Sequence, residues 1–529
     1  MLFPGSPRQA VFASEGNHTG ASRSLSGGRL CDRTPFHPIS RKQFRLTNFH
    51  RWFLAPIRHF RSEVSHMPEK IKYYSTNRHL DQVPGIIPFR ETVSFREALL
   101  MGQAPDEGLF MPEAIPVLPV EAFRALKEAP YAEAAMLVAQ AFLAGEIDEQ
   151  KLRRIIDDAY NYEVPLENVF ARKYIMRLDQ GPTASFKDFA ARMMARLMSA
   201  LRDPGNRLNV LVATSGDTGS AVGEAFKGVE GIDVTILYPR GEVSGRQKKQ
   251  LDTIGQNVRA VSVDGKFDDC QDLVKQAFSD PAFGGFNLTS ANSINFGRIL
   301  PQIVYYVWAW AQLSRDGEPA VFSVPSGNFG DALGCEYARR MGLPVEKLVM
   351  PTNENDEFPR FLETGVYEKV SPSRACLSNA MNVGHPSNLA RFFDLYDGTV
   401  DRTGVVRRLP NLDEMRKNIY SVSISDRETK KTIKRIYDQY RVLLEPHGAV
   451  GWRGLEVYLE FYGDKPLCIS LETAHPAKFP EEIRELLGIN PDLPQGMKDI
   501  DERSGEPVLL SADYGELRKY LHAHLHVTD

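Results

Sequence analysis

Cysteine is scarce in this 529-residue chain: Cys31, Cys270, Cys335, Cys376 and Cys468 lie far apart, with no CxxC pair. That excludes a small disulfide-stapled scaffold and a structural zinc site of the usual spacing, and the odd, sparse set fits a reducing compartment. Neither sign of charge dominates. With 64 Lys and Arg against 68 Asp and Glu, the formal net charge is −4, and nothing overall draws the chain to nucleic acid or to an anionic membrane. Long apolar runs are missing as well. The most apolar long stretch, ILPQIVYYVWAWAQL from Ile299 to Leu313, has 15 residues and contains Pro301 and Gln302; a membrane span needs about 20, so this reads as a buried helix. Signatures that would fix a reaction class outright are also lacking: there is no GxxxxGK[ST], no dinucleotide GxGxxG, no HExxH, no GxSxG and no EF-hand loop.

One charge asymmetry is present. Residues 1–66 hold ten Lys and Arg against three acids, so they carry +7 and the remainder carries −11. They are Ser/Gly/Arg-rich without a helical or strand period, and are expected to be a disordered leader or an over-extended start. The basic bias resembles an organellar transit peptide, but Pro4, Gly5 and Pro7 interrupt any early helix. The favoured expectation is a cytoplasmic protein whose working chain starts near Met67, with an organellar location as the alternative. From there Ser94 and Glu97 have capping-box spacing ahead of Ala98-Leu99-Leu100, and helical periodicity runs on to residue 160, which predicts a mainly helical region over 67–165.

After Asn168 short β-branched runs alternate with helices, in the grammar of βαβ units. NVLVATS (209–215), VTILYPR (234–240), RAVSVDG (259–265), AVFSVPS (320–326) and KLVMPTN (347–353) read as strands, each followed by a polar or Gly-rich turn. Apolar on both faces, they predict parallel sheet covered by helices, an α/β region over 166–480, with ligands at the carboxyl ends of the strands. Residues 355–440 are less regular, KPLCISLETAHPAKF (465–479) adds one more strand and loop, and 481–529 is expected to pack on the core.

The chemistry sits in the turns. GPTASFKDFA (181–190) sets Lys187 between Phe186 and Phe189. A surface lysine is the ordinary reading of any one lysine, whereas aromatic flanks and a Gly-Pro turn argue for a sheltered amine, which burial makes easier to deprotonate and able to condense with an aldehyde. Asp188 is read as structural. Two glycines in SGNFGD (326–331), between a strand and a helix, let the backbone curl so that successive amides and the helix N-terminus make a phosphate cradle; a ligand-free Gly-rich turn is the competing reading. SGDTG (215–219) has the same position after its own strand and adds the hydroxyls of Ser215 and Thr218. Arg240 could serve a phosphate or be a solvated strand end, and Asn292, Asn295 and Arg298 lie in a segment too polar to be mere core. Three histidines sit beside proline or glycine, in GHP (384–386), EPHG (445–448) and AHPAKF (474–479), where turn filling is a sufficient reading. His522, His524 and His526 read as the polar face of a terminal strand or a frayed tail, and no metal site is expected.

Taken together these segments resemble the threonine synthase family, the long bacterial and fungal branch of the fold type II pyridoxal-phosphate enzymes. The likeness runs from about Lys70 to the end, through YYSTN (73–77), VSFREALLMGQAPDEGLFMPE (93–113), GPTASFKDFAARMMA (181–195), ATSGDTGSAV (213–222), ILYPRG (236–241), NSIN (292–295), VPSGNFGD (324–331), LSNAM (377–381), EPHGAVG (445–451) and TAHPAKF (473–479). It implies a tryptophan-synthase-β-like α/β fold, with two subdomains and pyridoxal 5'-phosphate between them. Lys187 matches the lysine that holds this cofactor as a Schiff base. Ser326, Gly327, Asn328, Phe329 and Gly330 match the loop around its phosphate, and Thr473 the hydroxyl facing its ring nitrogen. Ser215, Gly216, Asp217 and Thr218, with Asn292, match substrate-binding positions, and Arg240 and Lys248 are assigned to the substrate phosphate.

The implied reaction converts O-phospho-L-homoserine and water into L-threonine and phosphate, in a monomer or homodimer with no nucleic-acid or membrane partner. The alternative is a related phospho-lyase that releases phosphate from a phosphorylated hydroxy-amino acid without completing the replacement. The chain departs from the family pattern at Gln180, where histidine is common, at Ala184-Ser185, and at Gly448, where threonine is common. The first of these puts the handling of protons in question, though not cofactor attachment.

Overall fold

The runs that are apolar on both faces become strands of two sheets in the computed structural model, which describes residues 70–526. The basic leader 1–66, and with it the expected start near Met67, lies outside the described residues. One sheet has five strands, all parallel, in the order Val508–Ser511, Val258–Asp264, Ile232–Pro239, Leu208–Ala213, Leu288–Thr289. Its strands Leu208–Ala213 and Ile232–Pro239 are buried at every residue, as a sheet covered on both faces requires. The other has six, in the order Ile419–Ser423, Val345–Thr352, Ala320–Ser323, Cys468–Glu472, Lys173–Arg177, Leu166–Phe170, and only its last pair is antiparallel.

The turns that follow these strands lead into helices, so helix N-termini gather at the carboxyl ends of both sheets. Ala320–Ser323 leads to the helix Gly330–Arg340, Leu208–Ala213 to Asp217–Phe226, and Ile232–Pro239 to Gly245–Asp252. The last is started by a capping box between Ser244 and Gln247, and the helix Phe95–Met101 by the expected box between Ser94 and Glu97. The apolar stretch forms the helix Leu300–Leu313, with Pro301 in its first turn where no amide is missed, packed against Gly330–Arg340 and against Tyr131–Leu143. Among the described residues no helix is long and apolar enough to cross a membrane.

The N-terminal helices share one continuous apolar core with both sheets. Phe142 on Tyr131–Leu143 meets Phe296 and Tyr337 with ring centroids 6.2 and 6.3 Å away. That part of the chain also carries an antiparallel ribbon, Tyr73–Ser75 with Phe110–Pro112. The irregular stretch 355–440 contributes the edge strand Ile419–Ser423, and the C-terminal segment contributes another, Val508–Ser511. The histidine-bearing tail is helical over Tyr514–His524 instead of extended, and His522 stacks on Phe283 at 4.6 Å.

Candidate active site

The loop after Ala320–Ser323 is fixed at both ends. Ser326 donates its amide to the Pro351 carbonyl at 2.9 Å and its hydroxyl to the Val324 carbonyl at 2.7 Å. Gly327 then passes so close to the neighbouring chain that a Cβ there would sit 2.8 Å from the Ala380 carbonyl oxygen and 3.0 Å from the Met381 Cα. Asn328 is tied down through its side-chain oxygen, which accepts from the Ser387 amide and hydroxyl, both at 3.2 Å. Phe329 adopts a left-handed conformation, φ 62°, which costs a non-glycine residue about 1–2 kcal/mol. Its ring is clamped against Phe358 and Phe392, which holds it there. The first bond of the helix Gly330–Arg340 is donated by Leu333 to the Phe329 carbonyl, so the amides of the preceding turn are left for an anion.

Lys187 begins the helix Lys187–Leu201 at the end of a loop that other groups hold rigid. Asp188 accepts from the Thr183 amide at 2.9 Å and hydroxyl at 2.6 Å, the structural part expected of it. The loop is zipped to the segment after Cys468–Glu472: Phe186 donates to the Thr473 carbonyl at 2.9 Å, and His475 to the Ala184 carbonyl at 3.0 Å. The Lys187 side chain is 13% exposed, with its ammonium 4.6 Å from the centroid of the Phe186 ring and 3.8 Å from Asp217 Oδ2. Phe189 is not over the amine; it packs among Tyr131, Tyr160 and Tyr162. Burial pushes the Lys187 amine below the ordinary lysine value; Asp217 opposes this, and the cations Lys478 and Arg298 add to it.

Lys187, Ser326, Gly327, Asn328, Phe329, Gly330 and Thr473 all line one cavity, and Ser215, Asp217, Thr218 and Asn292 line it from the side of the five-stranded sheet. The Thr214 hydroxyl shapes that side by accepting from the amides of Gly216 and Gly219 at 2.9 and 2.8 Å. Gly216 itself, at φ 127°, is outside the lining, against Gln247. Asn292 donates to the Ala213 carbonyl at 2.9 Å, and Asn295 is a buried cap for Gly297.

Arg240 and Lys248 do not join this group. Arg240 is exposed where its strand runs out, and the helix Gly245–Asp252 turns Gln247, Gln250 and Leu251 inward, which leaves Lys248 on the solvent side. The cation in the wall is Arg298, buried, with Nη1 donating to the Ala291 carbonyl at 2.8 Å and Nε without a protein partner; burial pulls its guanidinium down to about 10. Residues 379–383 and His447 complete the wall. His447 Nε2 accepts the Ala380 amide at 3.0 Å, which sets Nδ1 as the protonated nitrogen, donating to Glu445 at 2.6 Å. Gln180, one of the departures, donates to Asp179 at 2.7 Å and does not reach the cavity. Among the described residues no group of three or more His, Cys, Asp or Glu is placed to hold a metal ion.

Three family models match the chain in order: Threonine synthase N terminus over residues 72–160, Pyridoxal-phosphate dependent enzyme over 164–471, and Threonine synthase, C-terminal, over 449–521. The threonine synthase of Haemophilus influenzae is 39% identical over 436 residues, 82% of this chain and 97% of its own. The structure of PLP-bound threonine synthase from Brucella melitensis superposes with a TM-score of 0.79 at 34% identity, over 86% of this chain and all of that one. The yeast threonine synthase structure superposes with a TM-score of 0.76 at 30% identity, over 87% of this chain and 99% of that one. On matches of this extent, over a cavity that joins a sheltered lysine to an amide cradle, the chain belongs to the threonine synthase family of pyridoxal-phosphate-dependent enzymes.

Proposed function

We propose that the chain converts O-phospho-L-homoserine and water into L-threonine and inorganic phosphate, with Lys187 as the residue that carries pyridoxal phosphate. The observation that carries this reading is the convergence of one buried, easily deprotonated amine, one unused row of amides and one neutral hydroxyl, Thr473, on a single cavity. The residues fit the cofactor. The close approach at Gly327 leaves bare backbone for its phosphate, and Asn379 Oδ1, buried in the wall without a donor, would accept from its ring hydroxyl. When bound, the cofactor ring takes up the electron pair left on the substrate as protons are removed.

The chain's own residues do the rest. The amides from Gly327 onward and the helix N-terminus would hold the cofactor phosphate, and Thr473 would offer its ring nitrogen a hydroxyl without a charge that would force its protonation. Ser215 and Thr218 supply hydroxyls, and their loop amides, for the substrate carboxylate. Arg298, aided by Asn292, would serve the substrate phosphate in place of Arg240 and Lys248, because it is in the cavity wall, where a guanidinium acts on an anion at short range and low dielectric, and they are not. Lys187 would take the proton from the carbon bearing the substrate amine and return one further along the substrate.

The test is to purify the chain with its cofactor, record the visible absorbance, and compare Lys187→Ala. The variant is expected to lose the cofactor's lysine-bound absorbance and its fixation by borohydride, and to lose turnover by several orders of magnitude. Threonine and phosphate should form in equal amounts from O-phospho-L-homoserine. Phosphate release without threonine would establish the phospho-lyase reading instead.

A further inference from the structure

A second lysine stands behind the first. Lys478, in the turn Pro476–Lys478 just after Thr473, has no exposed surface and does not line the cavity. Its ammonium lies 2.7 Å from Asp217 Oδ1 and donates to the Thr183 carbonyl at 2.9 Å. Asp217 Oδ1 also accepts from Gln247 at 2.9 Å, and Oδ2 is the oxygen 3.8 Å from the Lys187 ammonium. One buried carboxylate is thus shared, unequally, by a fully buried lysine and by one that opens on the cavity. A lone buried ammonium at Lys478 would be costly, and Asp217 is the carboxylate that offsets it. Were Lys187 the sole partner of Asp217, the two would make an equal pair, and the lysine nitrogen would be kept as an ammonium with no lone pair to offer.

We propose that Lys478 is a positioning residue for the reaction: by holding Asp217 in the closer contact it prevents that carboxylate from trapping Lys187 as an ammonium, and so keeps the Lys187 nitrogen available to bond to the cofactor and to carry protons. The inference rests on Lys187 being the cofactor lysine. Capture of the cofactor joins Nζ to its aldehyde carbon; the neutral amine gives up its two protons, which leave with the aldehyde oxygen as water. The charged groups facing Lys187 are Asp217 and Glu445, which favour the ammonium, Asp331 in the same cavity wall, whose carboxyl burial pushes up to about 6 and Lys187 pulls down, and Lys478 and Arg298, which disfavour the ammonium on top of burial. Asp217 is held well below the usual carboxylate range: burial pushes it up, and Lys478, Lys187 and the hydrogen bonds from Lys478 and Gln247 more than offset that. It remains an anion throughout.

The experiment strips the cofactor from the full chain and follows its recapture of pyridoxal phosphate by the protein's visible absorbance, from about pH 6 to about pH 10. Wild type is compared with Lys478→Met, Lys478→Gln and the double variant Lys478→Met/Asp217→Asn. The single variants are expected to capture about tenfold more slowly at neutral pH and to converge on wild type at high pH, the profile moved up by about one unit. Asp217→Asn in the Lys478→Met background should bring the profile back to wild type or slightly below it. A profile for Lys478→Met or Lys478→Gln that superimposes on wild type, or that is lowered by the same factor at every pH, overturns the proposal, since loss of packing alone has no reason to depend on protonation. If neither single variant folds, the double variant, which leaves no unpaired buried charge, decides: a profile within about half a unit of wild type supports the proposal, and one displaced upward by about a full unit overturns it. Lys187→Ala, run alongside, separates the two assignments. Covalent capture by that variant would overturn the assignment of Lys187 as the cofactor lysine, whatever Lys478 does.

Discussion

Gly448 shows how one missing side chain rearranges its surroundings. A Cβ at this position would sit 1.6 Å from Glu472 Oε2, so the carboxyl of Glu472 fills the space a larger residue would take. Glu472 has no exposed surface; Oε1 accepts the Glu445 amide at 2.7 Å, and Oε2 has no partner. Burial pushes this carboxyl well above the usual range; Arg177, 3.5 Å away, opposes that, while Glu445 and Asp179 reinforce it. The departures at Gly448 and Gln180 both border this carboxyl cluster, behind the cavity. Gly448→Thr is therefore expected to destabilise the fold by about 2–4 kcal/mol, measured by denaturant unfolding. Glu472→Ala in the same chain should recover most of that loss, because the clash and its relief belong to one pair. Equal stability of Gly448→Thr and wild type, or no recovery in the double variant, would show that the neighbourhood yields in some other way.

At the scale of elements, the strand-turn-helix unit around Gly327 joins fold to the proposed chemistry, since the same turn ends a buried strand and presents the amides proposed to hold an anion. Gly327→Val would meet main-chain atoms, the Ala380 carbonyl and the Met381 Cα, which cannot swing aside as a side chain can. Cofactor affinity should fall by at least about tenfold, from a titration of the stripped chain, for a stability loss of only about 1–3 kcal/mol; unchanged affinity would place the phosphate elsewhere. Units of this kind were legible in the sequence because apolar runs such as NVLVATS and AVFSVPS end in glycine-rich turns that nothing but a tight strand-to-helix connection explains. The edge strand Val508–Ser511 was not, being four residues long and mostly exposed. Part of the site was hidden for a related reason: the wall from Asn379 to Val383 and His447 meets the cradle only through tertiary contact, although LSNAM and EPHG stood out as segments. The family resemblance assigns the substrate phosphate to Arg240 and Lys248, and both are on the solvent side of the structure. Which side of the helix Gly245–Asp252 is buried depends on its phase, and Gln247 and Gln250, both polar, do not announce it.

For the whole molecule, the cavity has walls from both sheets, and that makes the cofactor part of the architecture. The cradle and Thr473 follow strands of the six-stranded sheet, Ser215 and Thr218 follow a strand of the five-stranded one, and Lys187 stands between them, 3.8 Å from Asp217 of the one and zipped through Phe186 to Thr473 of the other. A ligand fixed at Lys187 and at the cradle ties these carboxyl ends together. Anything that binds the native state alone stabilises it, by about 2.7 kcal/mol at a hundredfold excess over its dissociation constant, and a covalent link adds to this. Removing the cofactor from the full chain should therefore lower the thermal midpoint by several degrees, and pyridoxal phosphate should restore it. Pyridoxal, which keeps the aldehyde for Lys187 but leaves the amides of the cradle unused, should restore only part. Inorganic phosphate, which offers the cradle an anion without bridging to the lysine, should restore less than pyridoxal phosphate at the same concentration. The comparison separates the two anchors: if pyridoxal stabilised the stripped chain as fully as pyridoxal phosphate does, the turn from Ser326 to Gly330 would not be holding the phosphate, and the stabilisation would have to come from the lysine side alone.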